Sequence, residues 1–206
     1  MSSGHVFARV IGFGCTLLPR APYRFEQRTD GGPALEIGHG ERSVVLRLRG
    51  GARAFTLGSG VAEVGDVVDV SDGPAHDYWR IETSVYSMRW PAGYVLASSP
   101  DGASMFDLLG PDDALMYLQG PFPLERLPSF ERVAAPGQEI VATGVKSGVP
   151  FVELSYEHDG IPWRQRHYRI EHGNTAVMLT TQAPLANASA AQAASELLIG
   201  SLERTR

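Results

Sequence analysis

A chain of 206 residues has room for one generous domain or two small ones, and 43% hydrophobic with 20% charged residues is a globular balance. Its 23 glycines and 14 prolines point to many turns and short strands rather than long helices. A net charge of −5 without a basic run leaves no nucleic-acid footprint, and the single cysteine, Cys15, excludes an internal disulfide or a cysteine-cluster metal site.

Taken in order, Val6 to Leu18 is apolar except for Arg9 and reads as a first strand with a buried thiol. The alternative is a lipoprotein signal ending at Cys15, which would move the protein from the cytoplasm to the envelope. Arg9 interrupts that run, and no basic residue precedes it. No apolar run reaches membrane-spanning length. Tyr23–Glu26, Leu35–Ile37 and Ser43–Leu48 read as strands, separated by turns at Asp30–Pro33 and Gly38–Gly40 and closed by Gly50-Gly51. Ser71-Asp-Gly-Pro-Ala75 is the best linker signal, giving a strand-rich N-terminal lobe over 1–84 and a second domain over 85–206.

Downstream, Tyr86–Trp90, Met105–Leu108 and Ala114–Leu118 read as strands, with turns at Asp101-Gly102 and Gly110–Asp113. These elements match the earlier ones in order, at an offset of about seventy residues. Asp30-Gly31 lies against Asp101-Gly102, Leu35–Gly38 against Asp107–Gly110, and Val61–Gly65 against Val133–Gly137. Two readings stay open: a duplication whose first copy is incomplete, or two meanders that share turn chemistry.

The last stretch is the most regular. Phe151–Tyr156 alternates, Asp159-Gly160 supplies a tight reversal, and Trp163–Glu171 alternates again. His172–Asn174 turns the chain into the β-branched run Thr175–Thr181. Short turns force these three strands into an antiparallel meander. Pro184 ends the sheet, and Asn187 or Ser189 is the expected cap of a helix. Its expected packing stripe is Ala190, Ala194, Leu197, Leu198, Ser201 and Leu202, with Arg204 and Arg206 at the negative pole of its dipole.

Tyr86–Tyr94, Ala114–Leu118 and Arg166–Thr181 with the closing helix together resemble the PsbP-like superfamily, which includes the Ran-binding nuclear import factor and LpqN-type lipoproteins. The resemblance covers the C-terminal half only. It implies an α+β fold, a mainly antiparallel β-sheet with a C-terminal helix packed on it in an α/β/α sandwich. It also implies a binding subunit rather than an enzyme. Pro121, Pro123, Pro128 and Pro136 crowd the place where that family has a helix.

The chemistry-bearing residues do not assemble in the sequence. His158 and His172 fall in turns at opposite ends of one strand, no serine sits in a nucleophile elbow, and Asp112-Asp113 lies in a turn. No catalytic residue, metal or cofactor is therefore expected. What remains is a polar strand face, expected to carry Glu153, Gln165, His167, Arg169 and Glu171 with Trp163 at its edge. Trp and Arg commonly carry interface energy. The bland alternative is a solvated or covered face. The expectation is a non-enzymatic protein-binding module whose partner is another protein: an adaptor, chaperone or immunity protein of a bacterial secretion system. The alternative is a small-ligand carrier or envelope lipoprotein with its pocket between sheet and helix.

Overall fold

The computed structural model describes residues 8–28, 33–49, 52–57 and 64–205. The turn residues 30–32 and 50–51, and positions 61–63 of the repeat, lie outside the described residues. In chain order come β1 (Arg9–Gly12), β2 (Cys15–Pro19), β3 (Arg24–Arg28), β4 (Ala34–His39), β5 (Arg42–Arg49), β6 (Ala52–Leu57) and a one-turn helix, α1 (Val64–Val67). Next are β7 (Val68–Asp72), β8 (Arg80–Glu82), β9 (Tyr86–Arg89), β10 (Val95–Ala97), β11 (Phe106–Leu109) and β12 (Leu115–Pro123). The chain closes with β13 (Glu139–Lys146), β14 (Val149–His158), β15 (Ile161–His172), β16 (Thr175–Pro184), α2 (Ala188–Gly200) and β17 (Glu203–Arg204). This is the expected α+β class: antiparallel sheets, with α2 lying on β16 and β15.

Residues 1–106 together with 201–206 form one compact unit, and residues 107–200 form a second. In the first unit, one sheet has the order β17-β9-β8-β1-β2-β7, and β10-β3-β4-β5-β6 run side by side in another. Gly12-Phe13-Gly14 is the tip of the β1–β2 hairpin, with Phe13 at φ 50° and Gly14 at φ 79°, the positive pair a two-residue turn requires. Cys15 is buried beside it, paired with Gly12 on one side and Asp72 on the other. Ser71 and Asp72, expected in a linker, belong to β7 and pair with Thr16 and Cys15. The glycine beyond them is there for contact rather than freedom, because a Cβ on Gly73 would collide with Thr16 Oγ1 and the Cys15 backbone. The boundary expected at 84/85 falls between β8 and β9, which pair from Arg80↔Arg89 to Glu82↔Ser87.

The core of this unit is apolar, with Val10, Leu17, Phe25, Leu35, Ile37 and Ile81 all closed to solvent. One charge is buried among them. Arg80 is only 2% exposed, and its guanidinium donates to Ser87 Oγ, to the Ser87 and Ser201 carbonyls, and to Glu203. Arg204, expected to complement the dipole of α2, instead lies in β17, opposite Tyr86. Gly200 ends the helix, which frees the last residues to add a strand to the first unit.

In the second unit the strand order is β13-β14-β15-β16-β12-β11. Asp159 and Gly160 take φ 52° and 75° and join β14 to β15, as expected of Asp-Gly. The prolines leave only short 3-10 turns at Leu124–Arg126 and Phe130–Arg132. The helix start differs from expectation. Leu185–Asn187 is a 3-10 turn with no side-chain cap, and Asn187 donates to the Asp112 carbonyl at 3.4 Å. The buried stripe is Ala188, Ala191, Ser195, Leu198 and Ile199, while Leu197 is exposed. Ser195 takes a core position because its hydroxyl bonds the Gln192 carbonyl and meets the Tyr168 hydroxyl at 3.3 Å.

Candidate functional site

The register of the meander decides which side chains share a face. Along β15, Arg164, Arg166 and Tyr168 point toward α2, while Trp163, Gln165, His167, Arg169 and Glu171 point away from it. Glu153 stands opposite Arg166 on β14, so it belongs to the helix side and not with Gln165 and His167 as expected. Alternation within each strand was read correctly. What it cannot supply is the phase between strands, which the hairpin sets.

On the helix side Glu153 is 8% exposed and accepts from Arg166 Nη2 at 2.6 Å, from Arg166 Nε at 3.0 Å and from Gln192 Nε2 at 3.1 Å. Arg164 Nε lies 3.6 Å from its other oxygen. Burial opposes the charge on Arg166, but hydrogen bonds to Tyr168 and Glu153 outweigh it and raise the guanidinium pKa. This cluster fills the gap between sheet and helix. The pocket left there has a volume of only about 10 Å³, roughly the room one water needs, and is lined by Arg164, Arg166, Thr181 and the first turns of α2. Sites for drug-sized ligands run to roughly 300–1,000 Å³.

On the far side, Gln138 donates to Gln165 and Gln165 to Gln182, both at 3.1 Å. His167 Nδ1 lies 2.9 Å from Thr180 Oγ1, and burial pulls its pKa down to about 4, leaving the ring neutral at pH 7. Trp163 stacks on Tyr156 with ring centroids 6.2 Å apart, and its indole Nε1 is buried without a partner among the described residues. Arg169 lies over the Phe130 ring, and its Nε is 3.0 Å from Glu171 Oε1, an ion pair without hydrogen-bond alignment. The expected outward face is thus largely lined by its own neighbours: Gln165 is buried, Trp163, His167 and Arg169 are half-buried, and of these residues only Glu171 is exposed.

Among the described residues, three of the exposed large apolar side chains gather instead on one strand, β13, an element the sequence reading passed over. Seven of its eight residues are exposed, which marks it as an uncovered edge rather than a packed strand. Ile140, Val141 and Val145 are 40%, 45% and 67% exposed. Its pairing runs from Glu139↔Ser155 to Lys146↔Val149 on β14, with a bulge between Ile140 and Ala142, and its other edge has no strand beside it among the described residues. The signal missed was the pair of adjacent β-branched residues, Ile140-Val141. It breaks alternation because one of them is the extra residue of the bulge. Among the described residues, no group of three or more His, Cys, Asp or Glu is placed to hold a metal ion, and no helix is long and apolar enough to cross a membrane.

No family model matches the chain, and no curated protein does. Among solved structures, it is similar to the crystal structure of LpqN involved in cell envelope biogenesis of Mycobacterium tuberculosis. The identity is 11%, the match covers 98% of this chain and 93% of that one, and the TM-score is 0.30. At that identity and score, the likeness carries no argument about function.

Proposed function

We propose that the chain is a non-enzymatic protein-binding module that engages its partner through the open edge of β13. The observation that supports this is an eight-residue edge strand carrying Ile140, Val141 and Val145 in solvent. Unpaired backbone groups flanked by apolar side chains are a template for an added strand. Natural edges are commonly blunted by charge, and here the charges stand only at the two ends, Glu139 and Lys146. Within this class, the sequence resemblance favours an adaptor, chaperone or immunity protein of a bacterial secretion system.

The test is affinity purification from the native host with the wild type and with Val145→Lys. Lysine on an edge strand opposes strand addition, and Val145 is too exposed for the change to disturb the core. A protein retained by the wild type and lost by the variant, with unchanged melting, supports the reading. An identical set of captured proteins from both would end it.

A further inference from the structure

The gap between β15, β16 and α2 carries more positive charge than its carboxylates balance, and from this we infer that it binds one small anion, of the size of chloride. Register places the residues. Arg164 and Arg166 are on the helix side of β15, and Thr181 stands opposite Arg166 on β16, so its side chain shares that side. Thr181 is 2% exposed, and its hydroxyl has no hydrogen-bond partner among the described residues. An orphaned buried hydroxyl is uncommon, because leaving one costs the full desolvation of the group. The pocket of about 10 Å³ that Thr181 lines is walled by Arg164, Arg166, Gln192 and two small residues of α2, Ala188 and Ala191.

The sign of the ligand follows from the ion pairs. Glu153 accepts from Arg166 and Gln192, and Arg166 Nη1 turns to Tyr168 and Glu196, so Arg166 is committed. Arg164 is not. Its Nε lies 3.6 Å from Glu153 Oε1, and it makes no hydrogen bond among the described residues. Glu196 divides between Lys146 at 2.8 Å and Arg166 at 3.4 Å. Three cations thus face two carboxylates, and the surplus charge rests on Arg164, which cannot shed its proton. None of the described residues that line the pocket is acidic, and the first turn of α2 adds the positive end of its dipole. A water would satisfy Thr181 and leave that charge uncompensated, whereas an anion answers both. Size sets the limit: the pocket takes one water-sized group, and chloride is only slightly larger. Arg164, with 27% of its side chain in solvent, has room to close on it.

Two measurements on the full chain test this. In crystals grown from sodium chloride, a long-wavelength anomalous difference map is expected to show a peak between Arg164 and Thr181, where a water would give none. In solution, urea unfolding is followed while chloride replaces gluconate at constant ionic strength. The wild-type midpoint is expected to rise with chloride, since a ligand held only by the folded state stabilises it. Arg164→Gln removes the charge and Thr181→Val the hydroxyl. Each is expected to weaken chloride binding at least about tenfold, the usual worth of a hydrogen bond to a charged group.

A water at this position with no anomalous peak overturns the anion site, and so does a wild-type midpoint indifferent to chloride. An equal rise in the wild type and both variants is a general salt effect and overturns it as well. If Arg164→Gln does not fold, Thr181→Val and the anomalous map decide alone.

Discussion

A carboxylate and a guanidinium desolvated together stabilise the fold only while both are present, because either one alone is a buried, uncompensated charge. Glu153 and Arg166 meet this condition, at 2.6 Å between sheet and helix. Glu153→Leu is expected to cost about 3–5 kcal/mol of unfolding free energy, and the double variant Glu153→Leu/Arg166→Met clearly less. Urea unfolding of the two variants checks this; equal losses would show that the pair acts as packing only. His167 makes stability depend on pH. It is neutral in the folded state down to about pH 4, whereas in an unfolded chain it gains its proton near 6.5. Between those values the unfolded state binds more protons, so stability falls as pH drops from about 6.5 to about 4 and levels off below. The loss should be roughly 2 kcal/mol, less than the full shift implies because the ring is partly exposed. In His167→Gln this part of the profile should flatten. A variant with the wild-type slope would assign the dependence to other groups.

At the scale of elements, the sequence was legible where one physical rule acts alone. Asp159-Gly160 and Gly173-Asn174 turned the chain where expected, and β14, β15 and β16 followed from alternation between those turns. Elements shaped by two competing demands were harder to read. In β13 the bulge breaks alternation, and Gly144 stands where a Cβ would approach the Phe151 ring at 3.0 Å, so a glycine that looks like a strand breaker is a packing requirement. In α2 the alanines give no sharp stripe, since Ala190 and Ala191 look alike in sequence while only Ala191 is buried. A polar Ser195 marks the buried side, a choice visible only once Tyr168 stands across from it. In the candidate face only the side of Glu153 differs, for a related reason. Its five β15 residues do share a side, but Glu153 was assigned there without the inter-strand phase.

For the whole molecule, continuity along the chain and compactness in space are different things. The first unit takes residues 201–206 from beyond the second, which no linker signal could announce. Residues 1–84 expressed alone would lack β9, β10 and β17, leaving Arg80 without Ser87, Ser201 or Glu203 and Ile81 without Met88. This segment is expected to give no cooperative melting transition by near-ultraviolet circular dichroism. A sharp, reversible transition would show that β8 can serve as a sheet edge and that Arg80 tolerates isolation.

The strand that closes the first unit is made only after the whole of the second unit. Every other strand of its sheet precedes Phe106, so the nascent protein must wait for the second unit to be synthesised before β17 exists. At ribosomal speeds of about 5–20 residues per second that wait lasts roughly 5–20 s. Throughout it β9 presents an open edge, and Arg80 holds Ser87 without its carbonyl and carboxylate partners from the tail. A message that stops just short of β17 would leave the first unit in this unfinished state permanently, with its other strands already made.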